Sequence, residues 1–152
     1  METTFKLTGF DNLEKALDDL PRATAKNVVR RVLKKQAQPF ADTARQLVPV
    51  DKGHLKRSIT VGTKVAKTQR KEIKKLQSEG FITMSIGPGQ DPAAHLVEYG
   101  FDQQAAEPFM RPAWDKHKDG VLDGVADDLW KEIEKAAKRL AKKAAKAAAK
   151  GT

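Results

Sequence analysis

Ala44-Arg45-Gln46-Leu47-Val48-Pro49-Val50-Asp51-Lys52-Gly53-His54-Leu55-Lys56-Arg57-Ser58-Ile59 is the stretch where one hydrophobic rhythm gives way to another. Upstream of it, Ala25, Val28, Val29, Val32, Leu33, Ala37, Phe40, Ala41, Ala44, Leu47 and Val48 recur at helical spacing. That stripe lasts about seven turns at 3.6 residues per turn. Arg30, Arg31, Lys34 and Lys35 lie off it. Pro39 lies inside it and predicts a kink, and Pro49 ends the helix. Val50 to Gly53 reads as a turn. Downstream, Leu55, Arg57, Ile59, Val61 and Thr63 alternate with Lys56, Ser58, Thr60 and Gly62, which predicts a strand over residues 55–65.

Before the stripe, Asp11 is placed as an N-cap and Glu14, three residues on, completes a capping-box pattern. Leu13, Leu17 and Leu20 fall on one face of this first helix. Pro21 either starts a second helix or bends the first. After the strand, residues 66–79 lose the alternation and read as a charged loop or short exposed helix. Phe81 to Gly87 predicts a second strand with Ile82, Met84 and Ile86 toward the core. Gly87 to Pro92 is a turn-rich loop. Ala94 to Tyr99 fits a short strand or one helical turn, and Gly100 to Pro108 a loop. Pro112 opens a last helix through Trp114, Val121, Leu122, Val125, Leu129, Ile133, Ala137 and Leu140, in which Gly120 and Gly124 each cost about 1 kcal/mol relative to alanine. Beyond Leu140 only Ala and Lys continue the helix. That run has high helix propensity but only methyl groups to bury, so it should fray or lie on a partner. The expected fold is α+β: long N-terminal helices and a long C-terminal helix packed on a small antiparallel β-sheet.

The chain has 152 residues and a formal charge of +9. Its length predicts one domain, with residues 1–140 carrying the fold and a basic insert at 64–80, and residues 141–152 an Ala/Lys-rich appendage. Segment 64–80 has six basic and two acidic residues, and segment 131–152 has eight and two. These two segments hold more positive charge than the chain's net, so the rest is close to neutral. Two basic appendages on a balanced body suit a polyanion or an acidic partner surface, or else solvation alone. The absence of cysteine excludes disulfides, Cys-ligated zinc, iron–sulfur clusters and a thiol nucleophile. No apolar run reaches the ~18 residues of a membrane span, and no signal peptide is visible at the first residues. The expectation is a soluble protein made in a cytoplasm.

The sequence offers little chemistry. His54, His95 and His117 share no metal-ligand spacing. No Gly-x-Ser-x-Gly elbow surrounds Ser58, Ser78 or Ser85. The adjacent pairs Asp18-Asp19 and Asp127-Asp128 point to different sides of a helix, and Gly87-Pro88-Gly89 lacks the Lys-Ser/Thr of a phosphate loop. The expectation is no enzyme, no cofactor and no metal. Phosphate contact without sequence reading fits Lys67, Arg70, Lys71, Lys74, Lys75, Lys142, Lys143 and Lys146 better. No aromatic interleaves with them, so base stacking is not indicated. If the insert and the C-terminal run share one face with Arg30–Lys35, nucleic-acid binding gains weight; if they point apart, packing or solvation does.

Three stretches together resemble one family. The first is Leu7-Thr8-Gly9-Phe10-Asp11-Asn12-Leu13 with its helix ending in Leu20-Pro21. The second is the opening quotation, similar to Ala-x-x-x-(Ala/Val)-Pro-Val-Asp-Thr-Gly-x-Leu-(Arg/Lys)-x-Ser-Ile, with Lys52 where the family often has Thr. The third is Leu96-Val97-Glu98-Tyr99-Gly100 followed by Pro108-Phe109-Met110-Arg111-Pro112-Ala113-Trp114. They resemble the lambdoid "gene product ten" family of tailed bacteriophages, a head–tail connector, neck or tail-completion component, across about residues 5–130. The resemblance implies a non-enzymatic virion protein at the head–tail junction. It would form a ring homo-oligomer, hexameric if it matches tail symmetry, between the head connector or head-closure protein and the tail terminator. The isolated subunit can be monomeric. The basic segments would contact packaged DNA or acidic neighbours. Glu98, Tyr99, Phe109, Met110 and Arg111 are the candidate subunit or partner interface. Phe109 is either core or an anchor in a neighbour, and Arg111 pairs with Glu98 either within the fold or across an interface. The competing reading is a small basic accessory protein binding nucleic acid non-specifically.

Overall fold

The structure, a computed structural model, describes residues 10–151. Its elements in chain order are helices α1 (Phe10–Asp18), α2 (Arg22–Leu47) and α3 (His54–Ser58), strand β1 (Thr60–Gly62), helix α4 (Arg70–Ser78), strand β2 (Ser85–Gly87), and helices α5 (Pro92–Tyr99) and α6 (Met110–Lys150). The architecture is α+β, with long helices and one small antiparallel sheet. The residues before Phe10, which open the first family-like stretch, lie outside the described residues; α1 already includes Phe10 and Asp11, so Asp11 is inside the helix rather than at its N-cap.

α1 and α2 are separate helices. Pro21 sits between them with extended backbone (φ −52°, ψ 134°). Leu13 and Leu20 are buried and Leu17 packs beside them, as their spacing predicts. α2 runs through Pro39 to Leu47, and its buried face changes partners on the way. Val28 and Val32 join one core, while Phe40, Ala41, Ala44 and Val48 join a second. Pro39 lies at that handover. The helix ends at Val48, which Pro49 holds extended (φ −65°, ψ 131°) while its N–H still reaches the Ala44 carbonyl.

The region after the turn departs from expectation. Residues 54–58 form a helical turn, and the strand is only Thr60–Gly62. Leu55 and Ile59 are both buried. A spacing of four satisfies one helical turn as well as two strand steps, so alternation alone misreads it. Gly53 takes the left-handed conformation (φ 75°) that starts the turn, and Ser58 Oγ donates back to the Leu55 carbonyl at 2.6 Å. The second strand is likewise confined to Ser85–Gly87, and the two pair antiparallel in the register Thr60↔Gly87, Val61↔Ile86, Gly62↔Ser85. Of the predicted inward residues, Ile86 packs on the core and Ile82 and Met84 are half-buried; Phe81, placed on the opposite face, is exposed. Between the strands the basic insert forms α4, with no buried residue.

Residues 92–99 are helical, which settles the open reading of the Ala94–Tyr99 segment. The missed signal is Asp91-Pro92. Asp91 is an N-cap whose carboxylate accepts the Ala93 N–H at 3.0 Å, and proline at the first helical position has no N–H to lose. α6 begins at Met110, two residues before Pro112, and continues through the Ala/Lys run to Lys150. At 1.5 Å per residue it is about 60 Å long.

α2 and α6 pack antiparallel. Phe40 meets Trp114, Thr43 meets His117, Lys35 and Gln36 meet Asp128, and Arg31 meets Glu132. They carry a core at each end. The sheet-end core holds Phe40, Ala41, Ala44, Val48, Leu55, Ile59, Phe109 and Ala113. The hairpin core, named for the α1–α2 turn beside it, holds Leu13, Leu20, Val28, Val32, Leu129, Ile133 and Ala136. Gly124 serves this packing: the Gln36 amide lies where its Cβ would be, on the way to Asp128. Gly120 faces open space.

Candidate functional site

The most organised polar site lies where α5 ends and α6 begins. Helix starts leave backbone donors without intrahelical partners. Here the Glu98 carboxylate supplies them. Its Oε2 accepts the N–H groups of Phe109 (2.8 Å) and Met110 (2.9 Å), and its Oε1 accepts that of Arg111 (3.1 Å). The next residue is Pro112, which has no donor, so the first turn of α6 is accounted for. Negative charge at this end also suits the helix dipole.

The last carbonyls of α5 are satisfied in return. Gly100 N–H donates to Leu96 O at 2.8 Å, Glu107 N–H to Val97 O at 2.8 Å, and Arg111 Nη2 to Glu98 O at 2.9 Å. Arg111 Nε also donates to Glu98 Oε1 at 3.0 Å. The pair therefore forms within the fold. It is a split contact, one arm on the carboxylate and one on the backbone, rather than a fork on both carboxylate oxygens. Glu98 is 5% exposed. Burial alone would raise its pKa, but the three backbone N–H bonds and Arg111 outweigh that and hold it below the ordinary value.

Gly100 closes the corner. Its φ is +74°, and a Cβ would lie 2.7 Å from Ala106 N and 2.9 Å from Gln104 O. Both atoms are backbone and cannot step aside, so only glycine fits. The Glu98-Tyr99-Gly100 and Pro108-to-Pro112 stretches, with seven residues between them, are thus one structural device.

This corner displays apolar surface. Tyr99 is 59% exposed and Trp114 52%. The Arg111 guanidinium lies over the Tyr99 ring, 4.9 Å from its centroid, and His95 packs against the same ring at 4.9 Å. Trp114 meets Phe40 edge-on at 6.0 Å. Met110, Arg111 and Trp114 line a shallow hollow beside it, and Leu96 and Phe101 are exposed nearby in sequence. Of the five predicted interface residues, Glu98 is buried, Met110 half-buried, and Tyr99 and Arg111 exposed. Phe109 is fully buried, so of its two expected roles the fold fills the core one. The sequence reading missed Trp114 as a surface residue, because its helical spacing made it look like core.

The histidines stay apart. His54 lies beside Arg57, His95 on Tyr99, and His117 Nε2 lies 2.7 Å from Thr43 Oγ1. Among the described residues no group of His, Asp or Glu could hold a metal ion, and no helix is long and apolar enough to cross a membrane.

The two basic segments also stay apart, so the single basic face that would favour nucleic-acid binding by both together does not form. Gln69, just before α4, lines a cleft along β1 and β2 at the sheet end. Lys142 lies about 44 Å along α6 from Ala113, which belongs to the sheet-end core. Lys67, Arg70, Lys71, Lys74 and Lys75 are exposed at the first place, and Lys142, Lys143 and Lys146 at the second. Only the C-terminal segment meets the α2 cations. Arg31 Nη1 donates to Glu132 Oε2 at 2.7 Å, Lys135 to Glu132 Oε1 at 3.2 Å, and Lys35 to Asp128 Oδ1 at 2.9 Å. The Asp128 pKa is held down by its bonds to Lys35 and Gln36, and that of Glu132 by Lys135 first, then Arg31.

The corner thus combines reciprocal helix caps with exposed aromatics beside them. The chain belongs to the family described as "Bacteriophage HK97-gp10, putative tail-component", whose model matches residues 11–100, more than half of the chain. It is thus a phage tail component, a class located in the virion. The matched span includes Glu98 and Gly100 and stops before Phe109. Comparison with curated proteins and with solved structures gives no match.

Proposed function

We propose that this protein is a non-enzymatic component of the phage head–tail junction that packs into a closed ring between the head connector and the tail. The family supports a structural role in the virion. The observation that carries the finer reading is the corner itself. Tyr99, Arg111 and Trp114 are the residue types that dominate binding energy at protein interfaces. They stand on two helix ends fixed to each other by Glu98 and Arg111, so little ordering is lost when a partner covers them. A closed ring requires two different patches to meet on neighbouring subunits. Leu47 and Val50, 47% and 62% exposed where α2 ends, are among the exposed apolar residues that could supply the second.

The test is a phage carrying Tyr99→Ala together with Trp114→Ala. Both side chains are exposed, so the purified variant should keep its fold by circular dichroism. Negative-stain micrographs of the lysate should then show heads and tails accumulating unjoined. Complete particles at the wild-type yield would refute the reading. Light scattering of the wild-type subunit across concentration distinguishes a ring formed in solution from one formed only on a connector.

A further inference from the structure

We infer that the C-terminal half of α6 binds the phosphate backbone of duplex DNA without reading its sequence. From Lys131 onward the basic residues are Lys131, Lys135, Lys138, Arg139, Lys142, Lys143, Lys146 and Lys150. At about 100° per residue, all eight fall within an arc of about 140°. The alanines of the run fill mostly the other side. The arc continues past the end of the hairpin core, whose last residue is the partly buried Leu140, so ten exposed residues of charged helix project with none of the other described elements over them.

Within the arc, acidic charge is already consumed. Glu132 is bound by Arg31 and Lys135, and Asp128 by Lys35 and Gln36. No acid follows Glu134 in the sequence. Among the described residues Lys138, Arg139, Lys142, Lys143, Lys146 and Lys150 take part in none of the ion pairs. The result is a basic helix face about 30 Å long, bordered on its inner end by Arg31 and Lys35, which neutralise Glu132 and Asp128.

The chemistry selects the occupant. A protein partner needs buried anchors, and the run offers only methyl groups against it. Single strands need stacking platforms, and no aromatic follows Trp130. Duplex DNA needs neither. It presents one negative charge per about 1.7 Å of axis along a rigid rod, and lysines neutralise it through counterion release. α4, by contrast, is only nine residues long, carries Glu72 within it and stands alone at the sheet end.

The experiment measures binding of the full chain to a fluorescent 30-base-pair duplex by anisotropy, between 50 and 200 mM salt. Engagement of about five phosphates predicts a slope near −4.5 for log K against log[salt]. Two duplexes of unrelated sequence should bind equally. The variant Lys138→Glu/Lys142→Glu/Lys146→Glu should lose at least tenfold in affinity. A matched variant in α4, Lys71→Glu/Lys74→Glu/Lys75→Glu, makes the same change in net charge and should lose less than threefold. Equal losses would reduce the effect to net charge and overturn the inference. So would the absence of binding at 50 mM salt, or displacement by polyglutamate at the same charge concentration as by unlabelled duplex. Circular dichroism of both variants checks that helicity is retained. Because the surface tested lies far from Tyr99 and Trp114, failure here leaves the junction reading standing.

Discussion

The two ends of the α2–α6 pair are held by different means. At the hairpin end, leucine, valine and isoleucine side chains fill the gap between helices. The polar contacts there, Arg31–Glu132 and Lys35–Asp128, join carboxylates, that of Asp128 buried, to side-chain cations that are 50% and 69% exposed, and none involves a backbone donor. At the sheet end, a buried carboxylate binds backbone groups of a second helix, and the elements around it are short: two three-residue strands and an eight-residue helix. Aliphatic packing tolerates loss of one partner by partial collapse. A buried acceptor shared by several donors does not, since each donor left unpaired costs about 1–3 kcal/mol. The sheet end is therefore the more specified and the more brittle, and it is the end that displays the candidate interface.

Removing the Glu98 carboxylate tests this contrast hardest. Glu98→Ala strands three backbone donors and the Arg111 guanidinium, and should cost about 3–5 kcal/mol. Urea denaturation measures it. Glu98→Gln keeps an acceptor and should cost less. Next comes Gly100→Ala, expected to cost about 2 kcal/mol or more from a left-handed backbone and a clash with fixed atoms. At the hairpin end Asp128→Ala should cost only about 1 kcal/mol, because Lys35 and Gln36 can turn to water. If Asp128→Ala proves as costly as Glu98→Ala, the distinction between the two ends fails.

Acid sharpens the same comparison. The folded pKa of Glu98 is depressed. Its contribution is therefore complete above the unfolded glutamate value of about 4.3 and is lost as pH falls through the lower folded value. Asp128 and Glu132 have the same sign. The wild type should lose stability below about pH 4, and Glu98→Gln should lose less over that window than the wild type does. A parallel pH dependence for the two proteins would show that Glu98 carries no linkage. The smallest effect concerns the two helix glycines. Gly120→Ala, into open space, should gain up to about 1 kcal/mol. Gly124→Ala should gain nothing, since it displaces Gln36 from its bond to Asp128. Thermal melts separate the pair.

Long periodic segments were legible in the sequence because many residues vote on the same period. The stripes of α2 and α6 and the Leu13–Leu17–Leu20 face are of that kind. Short segments were not. Leu55 and Ile59 suit two periods equally, and the apolar run 94–99 concealed a helix whose only marker was Asp91-Pro92. At the site, the Glu98–Arg111 pairing was legible from the residue types. Its main role was not, because a carboxylate capping another helix needs the two helix ends to meet, which is set by the Gly100 corner and not by either helix's own pattern. The same holds for charge. Composition located both basic segments, but only the antiparallel packing of α6 on α2 brings one of them beside Arg31 and Lys35 and leaves the other alone.

Oxidative footprinting of the two tryptophans tests the central claim most directly. Trp114 stands on the candidate interface; Trp130, 40% exposed on the same helix, lies about 24 Å further along it and serves as the internal standard. In the free subunit, hydroxyl radicals should modify both. In assembled particles, mass spectrometry should find Trp114 protected at least fivefold relative to Trp130. Equal modification of Trp114 in the two states would contradict an assembly surface at the Glu98 corner.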